Sequence, residues 1–252
     1  MKTLTKNKND NLPLVKVILL IFIPSILLTA SYILLGQIQK TIPSLLLFIV
    51  LAMFILFPVE LAIVLNASKK EFGKYSVRSA FANHEKMSWK KIFIYGILLF
   101  GFAGIASVTV GPFETWITAP ISNKLTEIIP TYFDWNNIDY IRQYPKNLLI
   151  LTCVLFAIFN IFIGPIVEEL FFRGYLTSKI SRFGKWSPAI ITILFSLYHL
   201  WLPLQNIFRI CIILPMSYVT WKEKNIYISM VSHCLCNLVS TVSFFVTIFA
   251  VK

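Results

Sequence analysis

The stretch LLILTCVLFAIFNIFIGPIVEELFFRGYL, Leu148 to Leu176, decides the fold. Its first sixteen residues carry no charge. The residues that follow place Glu168, Glu169 and Arg173 in surroundings that remain apolar. A helix needs ~20 apolar residues to cross ~30 Å of hydrocarbon, and this run reaches that length without the alternation a membrane strand would show. It reads as a membrane helix that carries three charges inward.

The rest of the chain has the same character. Of 252 residues, 57% are hydrophobic and only 13% charged, against about 25% charged in an ordinary soluble domain. The scarce charges fall between long apolar runs. The pattern predicts an all-α, polytopic transmembrane bundle of about seven spans: Leu12–Gly36, Ile42–Asn66, Ile92–Gly111, Asn147–Leu176, Pro188–Pro203, Asn206–Trp221 and Ile226–Val251. The fifth and sixth are short, which suggests a tight helical pair near Leu202–Asn206. The first has too long an apolar core for a signal peptide and reads as an anchor. Residues 1–146 would supply the N-terminal helices and a basic inner loop, and residues 147–252 a helical core of the same bundle.

Basic residues orient the bundle. Lys2, Lys6 and Lys8, the pairs Lys69-Lys70 and Lys90-Lys91, and Lys179, Arg182 and Lys185 all lie in segments on the side of the N-terminus. The opposite side holds Lys40, Lys124, Arg142, Lys146 and Lys252. This asymmetry predicts N-in, C-out. The net charge of +12 then reads as affinity for anionic lipid headgroups, and no segment resembles a nucleic-acid module. The cysteines Cys153, Cys211, Cys234 and Cys236 all fall inside spans, without CxxC spacing. They read as small packing residues.

Helical geometry separates the two glutamates. Glu169 and Arg173 stand at i and i+4 with the carboxylate first, the favourable order for an ion pair. Glu168 sits ~100° around the helix and lacks such a partner. An unpartnered carboxylate in a low-dielectric site is suited to serve as a general base near neutral pH, and ionisable groups inside membranes mark function by default. Pro165 just upstream removes a helix hydrogen bond.

Two more polar insertions follow, His199 in ILFSLYHLW and His233 with Asn237 one turn on in MVSHCLCNLVS. Counted at ~1.5 Å per residue from the inner ends of their spans, Glu168, His199 and His233 lie roughly 10–18 Å deep, so the three can meet in one inner-half cavity. Elsewhere, Glu60 reads as interfacial or paired with a nearby lysine. Arg209 is expected to snorkel outward and His84 to be solvated. The inner loop is expected on the membrane surface, and the aromatic outer loop 112–146 reads as an interfacial belt.

In order, the chain shows EExxxR (Glu168-Glu169-Leu170-Phe171-Phe172-Arg173), FxxxH (Phe195 to His199) and HxxxN (His233 to Asn237). This set resembles the CPBP family of intramembrane proteases, which includes type II CAAX prenyl proteases and the bacteriocin-processing and self-immunity proteins of the Abi group. The resemblance covers about residues 147–252. It implies peptide-bond hydrolysis beside or within a bacterial cytoplasmic membrane, on a membrane-embedded or lipid-anchored substrate. By resemblance, Glu168 takes a proton from water, His199 helps hold that water, and His233 and Asn237 stabilise the oxyanion. Glu169 and Arg173 fix the geometry of the base. Glu168, His199 and His233 would also supply three zinc ligands with an open fourth position. The sequence has no HExxH, and the resemblance favours a glutamate mechanism with no obligatory cofactor. An immunity factor against a membrane-active peptide, proteolytic or not, is the alternative role.

Overall fold

A computed structural model describes residues 11–134 and 137–250. Seven longer helices run through them: α1 (Leu14–Ile38), α2 (Ser44–Phe72), α3 (Trp89–Ile128), α4 (Lys146–Lys179), α5 (Ser187–Tyr198), α6 (Asn206–Glu223) and α7 (Tyr227–Phe249). No strand occurs among the described residues. In hydrocarbon every backbone group must find its partner inside the segment, and a helix satisfies this locally. Apolar side chains such as Leu19, Ile26, Ile97, Leu98 and Val246 point outward over the bundle surface. In water they would be a liability; facing lipid they need no cover.

Five helices, α1, α2, α3, α4 and α7, are long and apolar enough to cross a membrane. The expected fifth and sixth spans do not reach that standard. With 12 residues, α5 extends ~18 Å, and α6 carries Arg209, Lys222 and Glu223 within its 18 residues. The two pack together as a hairpin. Since the hairpin removes two crossings together, the N-in, C-out expectation has the same parity with five spans as with seven.

The hairpin turn is held by charges from within the bundle. The Glu114 carboxylate of α3 accepts the first free amides of α6, Ile207 N at 2.7 Å and Phe208 N at 2.8 Å. The opening amides of a helix have no partner of their own. Arg209, expected at the outer surface, is instead buried and donates to the carbonyls of Ser196 (3.1 Å) and Leu202 (3.4 Å). At the other end of the hairpin, Glu223 meets Lys91 (3.0 Å) and Lys224 meets Glu85 (2.5 Å). These pairs put the base of α6 beside the start of α3.

Several sequence expectations are corrected here. The third span was read as ending at Gly111, but α3 continues to Ile128 through Pro112 and Pro120. Much of the expected outer loop 112–146 is therefore helix. The inner loop does more than lie on a surface. Its short 3₁₀ turn, Arg78–Phe81, docks under α4, where a Cβ on Gly174 would stand 2.6 Å from the Ala80 carbonyl oxygen. Lys179 pairs with Glu71 (2.7 Å), which also accepts from Ser79 Oγ (2.8 Å), and fastens the loop to the end of α4. His84 is packed edge-on against Phe81 and Tyr227, and partial burial lowers its pKa below the usual histidine value.

Two of the three helices that carry buried glutamates widen just before a proline. In α2 the chain makes a π turn at Ala52–Leu56 just before Pro58, and in α4 another at Ala157–Ile163 before Pro165. Proline has no N–H to give to the carbonyl four residues back, and a wide turn absorbs that defect. A second π segment in α4, Glu169–Leu176, carries the charged motif itself.

A buried acid–imidazole cluster as candidate active site

The motif residues of α4 are held from behind by an aromatic wall. Phe171, Phe172, Phe195 and Tyr198 are each at most 2% exposed, and Phe172 meets Phe195 and Tyr198 edge-on with centroids 4.9 and 5.0 Å apart. Phe195, the first residue of FxxxH, also lies under the Arg173 guanidinium, 4.2 Å from its centre. An arginine over an aromatic face gains from the ring quadrupole, most strongly when desolvated.

Glu169 and Arg173 form the expected pair, Arg173 NH1 donating to Oε1 at 3.1 Å with both side chains almost wholly buried. Arg173 Nε donates to Ser217 Oγ (3.3 Å), which Thr192 Oγ1 also reaches (2.9 Å). The same Glu169 Oε1 lies 2.9 Å from His233 Nδ1. One carboxylate thus orients both the guanidinium and the imidazole.

That orientation turns His233 Nε2 toward Glu168, whose Oε2 is 3.7 Å away. The separation is too long for a direct hydrogen bond. Glu168 Oε1 is engaged by the Tyr198 hydroxyl, which donates to it at 2.9 Å. Glu168 is therefore buried, held by one oxygen, and open at the other.

His199 caps the end of α5, and its Nδ1 lies 2.8 Å from the Phe195 carbonyl. A carbonyl only accepts, so this contact makes Nδ1 the donor and leaves Nε2 as an acceptor. The rings of Phe195, Tyr198 and Trp201 surround it at 4.7 to 5.0 Å. Asn237 stands apart from the acid pair. Its Nδ2 donates to the Asn160 carbonyl at 2.8 Å, and Asn160 Nδ2 donates to Thr241 Oγ1 at 2.9 Å. Glu169 thus holds both Arg173 and His233, His233 faces Glu168, His199 lies alongside, and Asn237 is tied to α4 at the level of its first wide turn.

Among the described residues no three His, Cys, Asp or Glu side chains stand grouped as a metal site would have them. The Nδ1 atoms of His199 and His233 both face protein acceptors. The four cysteines are free thiols.

Two participants escaped the sequence reading. Tyr198 was passed over as a neighbour of His199. Glu60, read as interfacial or lysine-paired, is 0% exposed and has no lysine beside it. Its signal was present all the same: like Glu168, it is an acid just after a proline in an apolar run.

Carboxylates, imidazoles and arginine buried together at the junction of several helices define an intramembrane acid–base site in a multi-pass membrane protein. Residues 150–239 match the family model described as type II CAAX prenyl endopeptidase Rce1-like. The matched segment holds all three motifs, and in it the chain is similar to the CAAX-type membrane endopeptidases; the chain before residue 150 lies outside the match. No curated protein and no solved structure matches the chain.

Proposed function

We propose that the chain is an intramembrane endopeptidase in which Glu168 is the general base and no obligatory metal takes part. The observation that carries the reading is the half-engaged Glu168, with Oε1 held by Tyr198 and Oε2 open opposite His233. Oε2 takes a proton from water as that water attacks the scissile carbonyl, and later returns it to the leaving amine. His199, with Nε2 as acceptor, is placed to orient the water. Glu169 against Nδ1 supports an imidazolium at His233, whose Nε2–H then donates to the developing oxyanion. The second amide hydrogen of Asn237 adds to that donation. One such donor is commonly worth ~2.7–4 kcal/mol.

The substrate class that fits is a membrane-embedded or lipid-anchored peptide or protein, because the cluster is buried among helices long and apolar enough to cross a membrane. The basic inner face suits anionic headgroups, and the family resemblance points to a bacterial cytoplasmic membrane. The test is cleavage of an internally quenched, prenylated CAAX peptide and of a membrane-inserted leader peptide by the protein in liposomes. Activity on either is expected to vanish in Glu168→Gln and to survive exhaustive chelation. Cleavage by Glu168→Gln would remove Glu168 as the base, and loss on chelation with recovery on added Zn²⁺ would replace the mechanism.

A further inference from the structure

Glu60 lies outside the matched segment and outside all three motifs. It nevertheless stands level with the base: at ~1.5 Å per residue it is roughly 18 Å from the Phe72 end of α2, and Glu168 is roughly 16 Å from the Lys179 end of α4. Its side chain is 0% exposed, and neither carboxyl oxygen makes a hydrogen bond of normal geometry. The groups that act on it are the Tyr198 hydroxyl and the Glu168 carboxylate. No cation is among them.

Tyr198 is also the hydroxyl that lies within electrostatic reach of both acids. A phenol has one hydrogen to give, and Tyr198 gives it to Glu168 Oε1 at 2.9 Å. What remains for Glu60 is an oxygen lone pair. A carboxylate cannot use a lone pair; a carboxylic acid can, by donating to it. Charge leads to the same result, since an ionised Glu60 would face an ionised Glu168 in a low-dielectric site with no cation of its own beside it.

We propose that Glu60 is a protonated carboxylic acid that donates to Tyr198 Oη and so fixes the tyrosine hydrogen on Glu168. Glu60 is then a positioning residue, acting through Tyr198 and not touching the reacting atoms. The chain Glu60–H to Tyr198–H to Glu168 is cooperative, each donor strengthening the next. It keeps Oε1 occupied and commits Oε2 to the water. The inference rests on the reading of Glu168 as the base.

The test uses the full chain in nanodiscs and four substitutions, Glu60→Gln, Glu60→Met, Tyr198→Phe and Glu168→Gln. Infrared spectra report directly on a protonated carboxylic acid through its C=O stretch. The band is expected in the wild type and in Glu168→Gln, and is expected to be lost in Glu60→Gln and Glu60→Met. Glu60→Met removes a buried carboxyl whose other oxygen has no partner and is expected to melt close to the wild type, whereas a purely structural residue would lower the melting temperature. On the quenched prenylated peptide, kcat is expected to fall ~10-fold in Glu60→Met with KM unchanged. Glu60→Gln, whose amide still donates to Tyr198, is expected to stay near wild type. Glu60→Met combined with Tyr198→Phe should be no slower than Tyr198→Phe alone. A band that persists in Glu60→Gln, a wild-type kcat in Glu60→Met, or additive losses in the double variant would each overturn the proposal. If Glu168→Gln still cleaves, the assignment of the base fails instead, and the infrared and melting measurements still decide the state of Glu60.

Discussion

Tyr198 on α5 donates its hydroxyl hydrogen to Glu168 on α4 at 2.9 Å, so FxxxH contributes to the site through the residue before its histidine as well as through the histidine. The phenyl ring has its own seat against Phe172 and Phe195. Tyr198→Phe therefore deletes the hydrogen bond and leaves the packing. A hydrogen bond to a charged group is worth ~1.5–3 kcal/mol, so kcat is expected to fall by about 10- to 100-fold with little change in KM. Kinetics alongside thermal unfolding check this; an unchanged kcat would make Tyr198 a bystander.

Arg173 answers a buried negative charge on Glu169, with both side chains excluded from solvent. Arg173→Ala leaves that charge uncompensated and is expected to cost ~3–5 kcal/mol of stability. Arg173→Lys should fail nearly as badly, because a lysine cannot bridge Glu169 and Ser217 while lying flat over Phe195. Denaturation of the purified variants in detergent is the measurement. Wild-type melting of Arg173→Ala would mean that water reaches the pair.

Glu114 is expected to matter for stability although it lies far from the acid cluster in sequence. Glu114→Ala strands the amides of Ile207 and Phe208, and each buried unsatisfied donor costs ~1–3 kcal/mol. Glu114→Gln keeps one acceptor oxygen and should lose less. Limited proteolysis within the turn at residues 199–205, compared across the two variants, reports whether the hairpin has loosened; equal resistance in both would refute the cap.

Orientation can be tested without reference to the site. In a background lacking the native cysteines, an impermeant thiol reagent added to intact cells should label a cysteine placed at Gln143 and spare one placed at Lys74. Labelling at 74 alone would invert the bundle and carry the acid cluster to the opposite half of the membrane.

The helical class and the Glu169–Arg173 pair were legible because each follows from composition or from spacing along one helix. The pair kept its contact even though the segment is a π helix, since four residues still bring the two side chains together on a wider turn. What spacing cannot reveal is who stands opposite. Tyr198 looked like one more aromatic in an apolar run, and Glu60 was given an interfacial role because its span was ended at Asn66, six residues short of where α2 stops. Arg209 and Glu114 were missed for a related reason. A charge at the end of an apolar run looks ready to reach water, and only the fold shows that it serves the backbone of a neighbouring helix.

The close seat of Gly174 on Ala80 also bears on how portable this motif-bearing segment is. The recognisable motifs all lie beyond residue 147, yet Gly174 needs bare space against a backbone carbonyl from the inner loop, and Lys179 needs Glu71 beside it. A chimera joined at that point, with its first helices taken from another membrane protein, would keep every signature residue and lose the floor on which they rest. The boundary at which this protein can be recognised is therefore not one at which it can be cut.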